Sequence, residues 1–263
     1  MCAMNPVTTL EPYQDDRGNR IEYTGSAPYS GTVSVLFRGS HNVLRVGNQP
    51  LMSSLKVVFD CDNGTMEIDS GNGGLNLNVR VGQDSTIRIG RNTTSTSVVG
   101  MSATEGTTID VGDDVMFASE IQVRADDGHP IFDVRTGKRV NVSKNITIGP
   151  HVWVGWGAWI LGGTTIGEGS VIGTGAIVKA RIPNNVVAAG IPARVVRKDI
   201  AWERPHLSLV EPYYKPDVST VKKSRYWKLT AEGAAATSAA LRTNNFARRV
   251  VRKLRQMLAR RMS

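Results

Sequence analysis

Four histidines, at positions 41, 129, 151 and 206, are the side chains most suited to moving a proton near neutral pH. An unperturbed imidazole titrates at ~6.5, which favours it as a general base. His129 stands in a polar stretch with Asp126, Asp127, Gly128, Pro130 and Asp133. Asp127 and Asp133 are the nearby carboxylates that could orient its ring, as a third group orients the base in a nucleophile–base pair. His151 lies one residue before an apolar position, so its side chain is expected to point outward, where it could line the same groove or serve structure. His41 and His206 have no motif around them. The two cysteines, Cys2 and Cys61, form no CxxC pair, so neither a zinc site nor a disulfide framework is implied.

The elements that must hold these residues follow from a repeat. From Ile148, steps of six reach Val154, Ile160, Ile166, Ile172 and Val178, all aliphatic. Two residues before each of the last five stand Val152, Ala158, Thr164, Ser170 and Ala176, none charged. Glycine follows the aliphatic at 149, 155, 167 and 173. A period of six fits neither a 3.6-residue helix nor the alternation of one strand. It fits very short strands joined by turns, each wall sending one aliphatic side chain into a central stack. The glycines mark turns that need backbone freedom or close approach.

Upstream the repeat is looser. Val81 and Ile87 keep the period, as do Ile109, Val115 and Ile121, whereas Val35, Val46, Val57, Ile68 and Val79 recur every eleven residues. Between Ile121 and Ile148 the phase breaks, which predicts a segment ejected over about 124–145 with His129 in it. The expected organisation is an N-terminal segment (1–32), a parallel β-helix (33–197) and a C-terminal extension (198–263). Within the extension, Phe246, Val250, Leu254, Leu258 and Met262 fall at steps of four, as on one face of a basic amphipathic helix over 246–262.

That helix carries seven basic residues, and without them the net charge of +9 falls to about +2. The basic balance therefore belongs to the tail, and no nucleic-acid-reading module is recognisable. The tail could pack on the protein's own surface with a solvated face, or meet a polyanionic glycan or an anionic membrane surface. No signal peptide and no membrane-spanning apolar run is visible, which points to the cytoplasm. A peripheral place at the inner membrane face would follow from membrane binding by the tail.

On three stretches the sequence resembles the left-handed β-helix hexapeptide-repeat acyltransferases. They are Ile-Gly-Pro-His-Val-Trp-Val-Gly (148–155), Thr-Ile-Gly-Glu-Gly-Ser-Val-Ile-Gly-Thr-Gly-Ala-Ile-Val-Lys (165–179) and Ile-Pro-Asn-Asn-Val-Val-Ala-Ala-Gly-Ile-Pro-Ala-Arg (182–194). The loop Asp-Gly-His-Pro-Ile-Phe-Asp (127–133), followed by Thr-Gly-Lys-Arg-Val-Asn (136–141), resembles the branch that O-acetylates bacterial capsule and lipopolysaccharide sugars. The match covers about 120–197.

This resemblance implies an all-β, left-handed helix assembled as a homotrimer, with active sites between subunits and acetyl-CoA lying along the helix. It makes His129 the base that takes a sugar hydroxyl's proton. Trp153, 24 residues on, matches a position close to that histidine and would shape the acyl or acceptor site. Trp156, Thr174, Lys179, Arg194 and Arg197 match cofactor positions: backbone groups for pantetheine, cations for the CoA phosphates. The bulk of Trp156, where the family more often has a small residue, departs from the pattern. Trp156 and Trp159, like Trp153, fall at outward phases. No metal is needed for this chemistry. Two rival readings are N-acetylation of an amino-sugar nucleotide or another small molecule, and a non-catalytic β-helix that binds or supports.

Overall fold

Strands separated by six residues turn a corner at each step, so each pairs with the strand one whole coil away. In the register of the C-terminal coils, Ile148 lies beside Ile166, Val154 beside Ile172 and Ile160 beside Val178. A coil of three strands thus takes eighteen residues, three times the sequence period. The computed structural model describes residues 5–25, 31–48 and 53–227. They form a left-handed parallel β-helix of about seven turns.

Three walls run along it. The first has nine strands, from Tyr13–Gln14 to Arg181–Ile182; the second has seven, from Thr32–Phe37 to Ile177–Val178; the third has six, from Thr94–Ser95 to Arg194–Arg197. Pairing is parallel except at the two ends, Tyr13–Gln14 with Arg20–Tyr23 and Val187–Ala189 with Arg194–Arg197.

The eleven-residue recurrence has a simple geometry. Val35, Val57 and Val79 stack in the second wall. Val46 and Ile68 stack in the first, with Ile89 next. The early coils are therefore 22 residues long with two long strands each, and eleven is the step between walls. The coil begins earlier than residue 33, since Arg20–Tyr23 already pairs in parallel with Val43–Val46.

All six aliphatics of the regular repeat are buried, as are the small residues two places before each. Burying each aliphatic contributes about 1.5–3 kcal/mol before entropy is counted. At Gly149 and Gly155 the need is close approach. A Cβ at Gly155 would lie 2.7 Å from the Ile172 carbonyl oxygen, and one at Gly149 would lie 2.9 Å from the Glu168 nitrogen.

One corner, between the first and third walls, is a column of left-handed residues: Asn92, Asp114, His151, Gly169 and Asn185, with φ between 52° and 67°. Asn and Asp tolerate this conformation because their short polar side chains bond locally. Residues 198–227 fold back over this column. They contain two short 3-10 turns, Val218–Thr220 and Arg225–Trp227. The Asn185 amide fastens the segment by donating to the carbonyl oxygens of Ile200 (3.0 Å) and Tyr226 (2.9 Å). The stretch 246–262, expected as a basic helix, lies outside the described residues.

Candidate active site

The chain leaves the coil after Gln122–Arg124 of the second wall and rejoins at Ile146–Ile148 of the first. Between them a small hairpin forms, with Phe132 bridged antiparallel to Arg139. Its turn is closed by Asp133, whose Oδ1 accepts from the backbone N–H of Thr136 (2.8 Å), the backbone N–H of Arg135 (2.9 Å) and the Thr136 hydroxyl (3.0 Å). These donors, the Thr136 N–H first, hold its carboxyl below the usual range. This corrects the expectation for Asp133. Its carboxylate caps its own turn.

Asp127 stands closer to the purpose expected of it. Its Oδ2 accepts from Asn141 Nδ2 at 3.0 Å, and the same amide donates to the main-chain oxygen of His129 at 2.8 Å. Asn141 Oδ1 in turn accepts from the Ile131 N–H at 2.7 Å. Asp127 thus reaches the histidine through Asn141 and at the backbone. Asp126 fixes the start of the loop, accepting from Ser102 Oγ at 2.6 Å and from the Gly128 N–H at 3.0 Å. The far side is clamped by Glu105, which pairs with Arg139 and Ser143. Arg139, then Ser143, hold the Glu105 carboxyl down to about 2. The outcome is an exposed His129 on a loop with a fixed backbone; among the described residues no side chain is bonded to its ring.

At the base of the loop a groove is lined by Asp126, Asp127, Asn141, Lys144, Leu161 and Lys179. Two of these are cations, so Lys179 is placed where a phosphate or carboxylate could meet it. Trp156 and Thr174 are neighbours on another corner, one coil apart; the Gly175 N–H donates to the Trp156 carbonyl at 2.8 Å. Both are exposed. Arg194 and Arg197 are exposed on the last strand of the third wall. The structure therefore distributes the expected cofactor residues along two corners and one end of the helix.

Trp153, Trp156 and Trp159 are 38%, 50% and 45% exposed. Trp153 stands on the third wall between Met116 and Val171. Its ring meets Trp202, with centroids 5.9 Å apart and planes tilted by 47°. The His129 loop emerges at a different corner, between the second and first walls.

Of the two roles open to His151, lining the groove or serving structure, its surroundings are those of the second. Its ring leaves the coil, as the phase requires, but residues 198–227 cover it to 2% exposure. It stacks between Trp202 and Tyr226, with centroids at 4.1 and 4.3 Å. Nδ1 faces Asp114 Oδ2 at 2.6 Å and Nε2 faces the Trp202 carbonyl oxygen at 3.0 Å. Both ring nitrogens are thus engaged by oxygen atoms of the protein. Arg204 completes the cluster, donating to Asp114 Oδ1 at 2.6 Å. Burial raises the Asp114 carboxyl, but hydrogen bonds from His151 and Arg204 outweigh it and leave the group below its ordinary value. Glu105 and Trp202 escaped sequence reasoning because neither belongs to a period or a spaced motif; Arg139 and Asn141 stand in the loop stretch 136–141, but nothing in its spacing assigns them a role.

No family model matches the chain. The polysialic acid O-acetyltransferase of Escherichia coli O1:K1 / APEC is 39% identical over 120 residues, 46% of this chain. That alignment spans only 39% of the relative's length. The crystal structure of the polySia specific acetyltransferase NeuO matches with a TM-score of 0.65 at 31% identity, covering 74% of this chain and 92% of that one. The polysialic acid O-acetyltransferase OatWY matches with a TM-score of 0.63 at 25% identity, covering 75% of this chain and 93% of that one. With this coil, this ejected loop and this extent of likeness, the chain belongs to the hexapeptide-repeat β-helix acyltransferases.

Proposed function

We propose that the protein moves an acetyl group from acetyl-CoA to a hydroxyl of a surface polysaccharide, with His129 as general base. The observation that carries this reading is an exposed histidine on a hydrogen-bonded loop, ejected from a coil that matches 92% of a polysialic-acid-specific acetyltransferase. In the step itself, a neutral ring nitrogen of His129 takes the sugar hydroxyl's proton as the oxygen attacks the thioester carbonyl. The carbon–oxygen bond forms, the carbon–sulfur bond breaks, and the departing thiolate takes the proton from the imidazolium. The products are the O-acetyl ester and free CoA thiol. Holding both substrates in line supplies most of the advantage over solution. Lys179, Arg194 and Arg197 provide charge for the CoA phosphates, and the Trp156–Thr174 corner provides backbone groups for pantetheine.

The reading includes a trimer whose sites lie between copies. On the loop, Ile131, Phe132, Val134, Val140 and Val142 are each more than half exposed, an apolar set that a neighbouring copy would cover. His129 of one copy would then work beside Trp153 of the next. The basic stretch 246–262 suits a polyanionic acceptor or an anionic membrane surface.

The test measures CoA thiol release with acetyl-CoA and polysialic acid or other capsular glycans. His129→Ala is expected to lose activity by 100-fold or more, about what general-base catalysis contributes. Mixing inactive His129→Ala and Trp153→Leu proteins under subunit exchange should restore part of the rate. An unchanged rate in His129→Ala would overturn the base assignment, and acetylation of amino sugars alone would replace the O-acetyl reading.

A further inference from the structure

Trp153 is held by something outside the repeat. Its strand, Trp153–Val154, pairs only with neighbouring rungs and leaves the indole outward. Its ring meets Trp202, 49 residues later, in the segment that folds back over the corner. Trp202 is itself 8% exposed and doubly fixed. Its Nε1 donates to the His151 carbonyl oxygen at 2.9 Å, and its face lies 4.1 Å from the His151 ring, within 10° of parallel.

His151 is locked in turn by Asp114 on one side and Tyr226 on the other face. Arg204 ties the same segment to the coil, donating to Asp114 Oδ1, Thr94 Oγ1 (2.9 Å) and the carbonyl oxygens of Asn92 and Asp114 (both 3.0 Å). An imidazole stacked face to face between two aromatic rings is held on both faces by close packing. The stack Tyr226–His151–Trp202 is therefore a rigid block, and Trp153 leans on its end. An indole on a bare solenoid surface would sample several rotamers; one backed by a fixed ring does not.

We propose that Trp202 is a positioning residue, holding the Trp153 indole in the orientation used at the acyl or acceptor site. The proposal rests on the acetyltransferase reading of Trp153. In this view residues 198–227 are a part of the catalytic apparatus, although they contribute no group that touches the reacting atoms. Holding a first-contact side chain by a second, packed one is how a site keeps its geometry within the narrow limits that catalysis demands.

The test uses the full chain and three variants, Trp202→Leu, Trp202→Phe and Trp153→Leu. Two indoles at this distance and tilt give an exciton couplet in circular dichroism, which Trp202→Leu and Trp153→Leu should both abolish. Thiol release with acetyl-CoA and polysialic acid is then compared. Trp202→Leu is expected to lower kcat by tenfold or more while KM for acetyl-CoA stays within twofold. Trp202→Phe, which keeps a ring on both His151 and Trp153, should recover at least half of the lost rate. Melting temperature and the β-sheet signal monitor the coil itself. If Trp202→Leu loses the couplet but keeps the wild-type kcat, the positioning role is overturned and the acetyltransferase reading stands. If Trp153→Leu keeps full activity, the role of Trp153 fails and takes the proposal with it.

Discussion

The side-chain amide of Asn141 donates to the main-chain oxygen of His129 at 2.8 Å, and to Asp127 Oδ2 at 3.0 Å. With the bond it accepts from the Ile131 N–H, one side chain thereby ties together three points of the loop. Such bonds contribute about 0.5–1.5 kcal/mol each at most, and less on an exposed loop. Their value lies in geometry, since small misplacements of a catalytic group cost rate heavily. Asn141→Ala is expected to lower kcat by about tenfold or more, with a melting temperature close to wild type. Steady-state thiol release and thermal denaturation check both halves. Unchanged kcat would mean that the loop holds His129 without this amide.

The opposite side of the loop depends on Glu105. Its carboxyl is held down to about 2 by Arg139 and Ser143, from an ordinary value of 4.5. A depressed carboxyl contributes its stability above the unfolded value and loses it as pH falls toward the folded one. The Arg139–Glu105 clamp should therefore be complete above about pH 5 and weaken progressively down to about pH 2. The group is largely exposed, so the effect is on loop order more than on global stability. The Glu105 side-chain carboxyl carbon resonance is the probe: its shift should titrate well below the ordinary glutamate value, and Arg139→Gln should move that titration back up toward it. A transition at the ordinary value would show that the clamp is not formed in solution.

What the sequence made legible was set by the physics of repetition. Ile148, Val154 and Ile160 announce the coil because each rung must present an aliphatic to the same stack, whatever else varies. The eleven-residue step from Val35 to Val79 was visible but not interpretable, because pairing skips a strand: Val35 meets Val57, and Val46 meets Ile68. Position 129 stands out because the period fails around it and because its loop, 127–133, carries the resemblance. The cover over His151 left no trace. Trp202, Arg204 and Tyr226 obey no period, and they meet residues between 41 and 112 positions away. Asp133 misled for a related reason, since an aspartate three residues before a threonine is as ready to cap a turn as to orient a base.

The regular coils also predict how the scaffold fails. Gly155 has an ordinary backbone conformation, yet a Cβ there would meet the Ile172 carbonyl oxygen at 2.7 Å and the Thr174 nitrogen at 2.9 Å. Both are backbone atoms of the next coil and cannot swing aside. Gly157, two residues on, has the reverse problem: its φ is +65°, but nothing lies within 4 Å of a Cβ. Gly155→Ala must push two coils apart and is expected to cost about 1–3 kcal/mol, as overpacking does. Gly157→Ala meets only the left-handed penalty of about 1–2 kcal/mol. The two are distinguished by adjacent substitutions. Gly155→Ala should perturb the amides of 172–174 in hydrogen exchange, whereas Gly157→Ala should leave them protected. Equal protection in both variants would show that the coils have more room at Gly155 than the backbone distances allow.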